Sequence, residues 1–172
     1  REALLQLASR AWRRPLTGAE KKDLLGAYHS FRKLGKNHEE AIRGGFTAVL
    51  VSPDFLFKVE LPLPGKEAGA VSALELATRL SYFLWSSAPD ERLRRAAGNG
   101  SLLKLDVLQA ETLRMLKDEK VRSLATEFAA QWLLVRDFDK LAEKNEKLFP
   151  AFDRELRGAI YEETVLFFKD LF

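Results

Sequence analysis

An all-α protein, a multi-helical bundle of seven to nine helices in two packed units, is the fold that three observations predict. Apolar residues recur at three- and four-residue spacing along most of the chain. Thr17 with Glu20, Asn37 with Glu40 and Ser72 with Glu75 all have capping-box spacing, in which a side chain takes a first-turn N–H and the carboxylate reaches back. Pro15, Gly35 and Ser52-Pro53 then punctuate successive periodic runs.

In order, Leu4, Leu5, Ala8, Ala11 and Trp12 make residues 2–12 one amphipathic helix, which Pro15 breaks. Thr17 opens a second, with Leu24, Leu25, Tyr28 and Phe31 on its apolar side, and Gly35 stops it. Asn37 opens a third, with Ile42, Phe46, Val49 and Leu50 buried. Its Gly44-Gly45 pair costs about 1 kcal/mol per glycine, which close approach of a neighbouring helix would offset. Residues 61–71, with two prolines and two glycines, read as a linker between a three-helix unit (1–60) and a second unit (72–172).

Ser72 then opens the most apolar helix. Leu76, Leu80, Phe83 and Leu84 line one side, and Leu74, Tyr82 and Trp85 widen the arc, so this helix is expected at the centre of its fold. Ser87 is the expected cap of a short helix after it. Leu105, Leu108, Met115 and Leu116 mark another, and Asp118 caps the next. There Val121, Leu124, Ala125, Phe128, Trp132 and Val135 form a buried stripe of 3.6-residue period. Residues 137–148 are charged and irregular, and Pro150 introduces the last helix. Its apolar residues cover about half the circumference at 3.6 residues per turn. Phe167, Phe168, Leu171 and Phe172 are expected to be covered by another domain or chain, because an uncovered aromatic end is a liability.

The 172 residues suffice for one ordinary domain or two small ones. Hydrophobic content of 47% and charged content of 31% are those of a globular chain. Arg1 rather than methionine leads it, as in a piece of a longer or processed protein. No apolar run approaches the ~18 residues of a membrane span. The absence of cysteine excludes disulfides, thiolate metal sites, a cysteine nucleophile and covalent haem attachment within these residues. The net charge of +3 is uneven: residues 1–59 hold 11 Lys/Arg against 6 Asp/Glu, and residues 60–172 hold 17 against 19. No nucleic-acid module pattern accompanies the basic third, so nucleic acid is not the expected partner.

Few residues invite chemistry. His29 and His38 lack the spacing that puts two ligands on one helix face. Met115, an axial haem ligand in principle, sits on a leucine stripe as core. Glu162 and Glu163 point about 100° apart on a helix, so either needs a distant carboxylate such as Glu127 to form an acid/base pair. Ser52, Ser81, Ser86 and Ser87 lack a nucleophile elbow. Trp12 and Trp132 read as core, and Trp85 as the exposed tryptophan. A partner-facing patch is therefore placed at Arg79, Tyr82 and Trp85, with Arg13 and Arg14 as a basic alternative that could equally pair with helix ends or acidic neighbours.

Three segments carry a resemblance: Ala11–Thr17 leading into Val51–Phe57; Glu75–Ser87 with Pro89-Asp90; and Phe128–Leu133 with Leu148–Pro150 and Glu162–Thr164. They resemble the helical domains of unknown function in large planctomycete-type bacterial proteins, commonly joined to a cytochrome-c-like domain. Gly44-Gly45 departs from the alanine-rich helix of that pattern. The resemblance implies two adjacent domains, the second truncated at Phe172, in an extracytoplasmic multidomain parent. Any haem would lie outside these residues. It implies a non-catalytic scaffold or interaction segment. The alternative is part of a hydrolytic or redox enzyme, with polysaccharide as a substrate class and a cleft lined by Arg79, Glu127 or Glu163.

Overall fold

The computed structural model describes residues 1–58, 60, 71–138 and 148–171. The expected linker at 61–71 lies outside them but for its last residue, as do Phe172 and most of the charged stretch 137–148. All regular structure among the described residues is helical, and it falls into two compact units, Arg1–Thr78 and Arg79–Phe172.

In the first unit, α1 (Glu2–Ala11), α2 (Gly18–Lys33) and α3 (His38–Leu50) precede the single turn α4 (Pro53–Leu56). Both predicted boxes form: Thr17 Oγ1 accepts from the Glu20 N–H while Glu20 accepts from the Thr17 N–H, and Asn37 and Glu40 repeat the exchange. Gly35, at φ +80°, ends α2: its N–H bonds the Arg32 carbonyl, and the Lys36 N–H bonds that of Phe31. Ser52 caps α4 by accepting from the Asp54 N–H, with Pro53 in the first position, where its missing N–H costs nothing.

The glycine pair explains how α3 sits. A Cβ on Gly44 would run into the Phe31 ring of α2, and one on Gly45 would lie 2.8 Å from Leu4 Cδ2 of α1. Adjacent positions point about 100° apart, so two glycines seat two neighbouring helices. Trp12 locks the same arrangement by donating from Nε1 to the Val49 carbonyl at 3.2 Å.

The second unit is built around the C-terminal part of α5 (Ala73–Trp85), with α6 (Glu91–Gly98), α7 (Leu105–Leu116), α8 (Ala130–Trp132) and α9 (Arg154–Leu171). Ser72 and Glu75 close the third box at the start of α5. Asp118 accepts from the Lys120 N–H and starts a 3₁₀ turn, Glu119–Val121.

Leu50, expected in the buried stripe of α3, is 44% exposed, and three further expectations need correction here. Asp90, not Ser87, caps α6, accepting from the Leu93 N–H at 2.8 Å, and the buried Ser87 hydroxyl has no partner among the described residues. Phe83 is on the exposed side of α5, whose buried line runs instead through Ala73, Ala77, Ser81, Leu84 and Trp85. Small residues carry that line because they let neighbours approach, which an apolar-residue count does not register.

The third correction has a backbone cause. Residues Leu124–Ala129 form a π-helical turn before α8. Each π hydrogen bond closes one residue later than an α bond, which moves every later side chain by one position, about 100°. Val121, Leu124 and Ala125 are buried as predicted, but Ala129 and Ala130 then take the core positions. Phe128 and Trp132 are left on the surface.

Candidate functional site

The segment that carries the resemblance, Leu80–Ser87 with Pro89-Asp90, sends Ser81, Leu84, Trp85 and Pro89 into the interior, while Phe83 and Ser86 stay exposed. Ser81 is fully buried and Trp85 is 2% exposed. The Trp85 Nε1–H donates to the Met115 carbonyl at 3.0 Å, the Arg114 guanidinium lies 5.5 Å from the ring centroid, and the Lys120 ammonium 4.6 Å. Trp85 is thus a clamp between α5, α7 and the turn after it, not an exposed partner-facing ring.

Around that ring runs an ionic chain. Arg114 grips Asp90 with both nitrogens, Nη1 to Oδ2 at 2.9 Å and Nη2 to Oδ1 at 3.2 Å. It also reaches Glu111 from Nε at 2.9 Å, and Arg92 Nε holds the other Glu111 oxygen at 2.6 Å. Glu111 is 4% exposed. Burial would push Asp90 up, but the Leu93 N–H and Arg114 outweigh it and hold the carboxyl below its ordinary value. Burial pulls Arg114 down, while Asp90 and Glu111 raise it on balance. A buried carboxylate is tolerable only when paired and hydrogen-bonded, and Glu111 is both. Its position three residues after Leu108 and four before Met115 is the signal the sequence offered: a carboxylate in line with an apolar stripe.

The basic alternative is likewise absorbed by the fold. Arg13 is buried with φ +60°, just past the end of α1. Its guanidinium donates to the carbonyls of Asp54 at 2.6 Å, Phe57 at 2.9 Å and Phe55 at 3.3 Å, capping α4. Arg14 spans Glu20 and Asp54, each at 2.7 Å. Of the residues named for partner contact, Arg79 is exposed and Tyr82 half-buried. The pairing with helix ends and acids that the sequence left open is the one that Arg13 and Arg14 make.

Glu127 is exposed and pairs with Arg136 at 2.8 Å; Glu163 is exposed. Glu162 instead pairs with Arg122, at 2.8 and 2.5 Å, tying α9 to the segment before the π turn. Among the described residues no three His, Asp or Glu side chains gather as metal ligands would. Met115 is fully buried, and His38 Nδ1 meets the Tyr28 hydroxyl at 2.9 Å.

What the second unit does present is aromatic. Phe83 meets Phe128 edge-on at 6.0 Å, and Phe128 stacks with Trp132 at 6.5 Å and 15°. Exposure is 57%, 50% and 70% respectively. This ladder was missed because a uniform α period hides it; only the π turn exposes two of its three rings. On α9 a second apolar face, Leu166, Phe167 and Leu171, is also exposed, while Val165 alone of its described residues is buried.

Residues 1–60 match the family described as PSD5, protein of unknown function (DUF1595), and residues 71–172 match PSD4, protein of unknown function (DUF1592). No curated protein and no solved structure matched the chain. With more than half of its length under the second match, the chain belongs to the DUF1592 family.

Proposed function

We propose that the chain is a helical scaffold or interaction segment of an exported multidomain protein that also carries a cytochrome-c-like domain, and that α9 is where another domain of that protein docks. The observation that carries this reading is α9 itself. Leu166, Phe167 and Leu171 leave an apolar face open to water, and such a face on a folded unit marks a contact surface. The distinctive side chains support it from the other direction. Trp85, Asp90, Arg13 and Glu111 are engaged in packing and internal ion pairs, so they serve the frame rather than a substrate. Haem chemistry would reside in the attached domain, outside the cell's cytoplasm.

The test uses the full-length gene product, purified after export with haem maturation available. Backbone amides of Leu166–Leu171 should exchange at least tenfold more slowly there than in residues 1–172 alone, and a reduced-minus-oxidised haem spectrum should appear. Equal exchange in the two proteins would remove the docking role of α9. Absence of the spectrum would remove the cytochrome association.

A further inference from the structure

Asn99-Gly100 is the one Asn-Gly pair in the sequence. Such a pair can modify itself: the glycine nitrogen, with no side chain to shield it, attacks the asparagine Cγ and closes a five-membered imide. Ammonia leaves, and water then opens the imide at either carbonyl. The product is an aspartate linked to Gly100 through its α- or its β-carboxyl. Amide and water give acid and ammonia, with no other reactant.

Both residues are exposed, so water reaches them. They also close the last turn of α6, and that turn holds each reacting group. Asn99 is the C-cap, and Gly100, at φ +74°, takes the left-handed position after it. The Gly100 N–H, which must give up its proton to attack, donates to the Ala97 carbonyl at 3.1 Å. The Asn99 amide is held through Oδ1, which accepts from the Ser101 N–H at 2.9 Å. The Ser101 hydroxyl donates to the Ala96 carbonyl at 3.3 Å, the place a backbone N–H takes in the usual glycine cap. The backbone angle matters as much. With ψ of 4° at Asn99, the Gly100 nitrogen lies about 120° from Cβ around the Cα–C bond, whereas ring closure needs the two nearly eclipsed.

We propose that Asn99 is a site of spontaneous, one-way modification, gated by this turn. While the cap is closed, nucleophile and amide are held apart. When the end of α6 frays, both are released together and the imide forms, so the rate counts openings of the turn. The product keeps the gate open. A β-link lengthens the main chain by one carbon and takes the Gly100 N–H out of register with Ala97, and a carboxylate at this end of a helix opposes its dipole. The next turn, Ser101–Leu103, carries the fully buried Leu102, so the modified chain loses an anchor in the second unit.

Peptide mass spectrometry reads the conversion of Asn99 in residues 1–172 held at mildly alkaline pH, folded or in urea. The folded chain should convert at least tenfold more slowly than the unfolded one. Ser101→Ala removes the hydroxyl bond to Ala96 and should speed the folded chain severalfold, leaving the rate in urea unchanged. Gly45→Ala, which acts in the first unit, should convert at the wild-type rate. Both linkages should appear, and the Leu102 amide should exchange faster in the converted chain. Equal rates in the folded and unfolded chains, no gain from Ser101→Ala, or as large a gain from Gly45→Ala would each overturn the gate. An α-linked product alone, or no conversion of Asn99 in urea, would overturn the imide route.

Discussion

Trp85 and Trp132 exchange the roles their sequence context suggests, and the exchange is a matter of single-residue environment. Trp85 follows an apolar run and precedes two serines, which reads as an edge, yet its N–H finds the Met115 carbonyl and two cations lie against its ring. Those partners stand some thirty residues away, beyond any local pattern. The capping boxes, by contrast, were legible because both partners sit three residues apart. Glu20 extends that logic, since it closes a box and also binds Arg14. The Arg14 guanidinium, and then the Thr17 N–H, lower its carboxyl from 4.5 to about 2. A depressed folded value means that Glu20 stabilises the fold in full above pH 4.5, and that the contribution fades as pH falls toward 2. Because the side chain is partly exposed, solvent screening holds it to the order of 1 kcal/mol. Urea unfolding of wild-type and Glu20→Gln chains should therefore differ at pH 6, and the gap should narrow steadily as pH falls toward 2. A gap that persists unchanged at low pH would mean that the charge contributes nothing.

At the scale of the element, helix starts and stops could be read from the sequence, but hydrophobic phase could be followed only while the helix stayed α. The π turn at Leu124–Ala129 carries no Gly or Pro to announce it, so the predicted stripe continues through Phe128 and Trp132 while the actual one continues through Ala129 and Ala130. The glycine pair of α3 is the opposite case, where an apparent cost forecast a close contact and the contact is there. The two glycines should respond differently to substitution. Gly45→Ala pushes a methyl into Leu4, which is fully buried and has nowhere to go. Overpacking of about 1–3 kcal/mol should then exceed the ~1 kcal/mol gain in helix propensity. Gly44→Ala meets the ring of Phe31, which is partly exposed and can swing outward. Thermal unfolding should show Gly45→Ala melting several degrees lower and Gly44→Ala within about 2 °C of wild type. Equal effects would show that α3 does not seat α1 more tightly than α2.

The molecule as a whole divides its large side chains between those its own fold buries and those it leaves exposed. Arg13, Trp12, Trp85 and Glu111 belong to the first group; Phe83, Phe128, Trp132 and the outer face of α9 belong to the second. The all-α class and the order of helices were open to sequence reading. The division was not, because it depends on carbonyls, ion pairs and backbone phase contributed by distant segments. Iodide quenching of tryptophan fluorescence tests the division most directly. With Trp12 and Trp85 buried, the accessible emission should come from Trp132 alone, so Trp132→Phe should leave a protein whose remaining fluorescence iodide scarcely touches. Undiminished quenching in that variant would put Trp12 or Trp85 in contact with solvent and contradict the account at its centre.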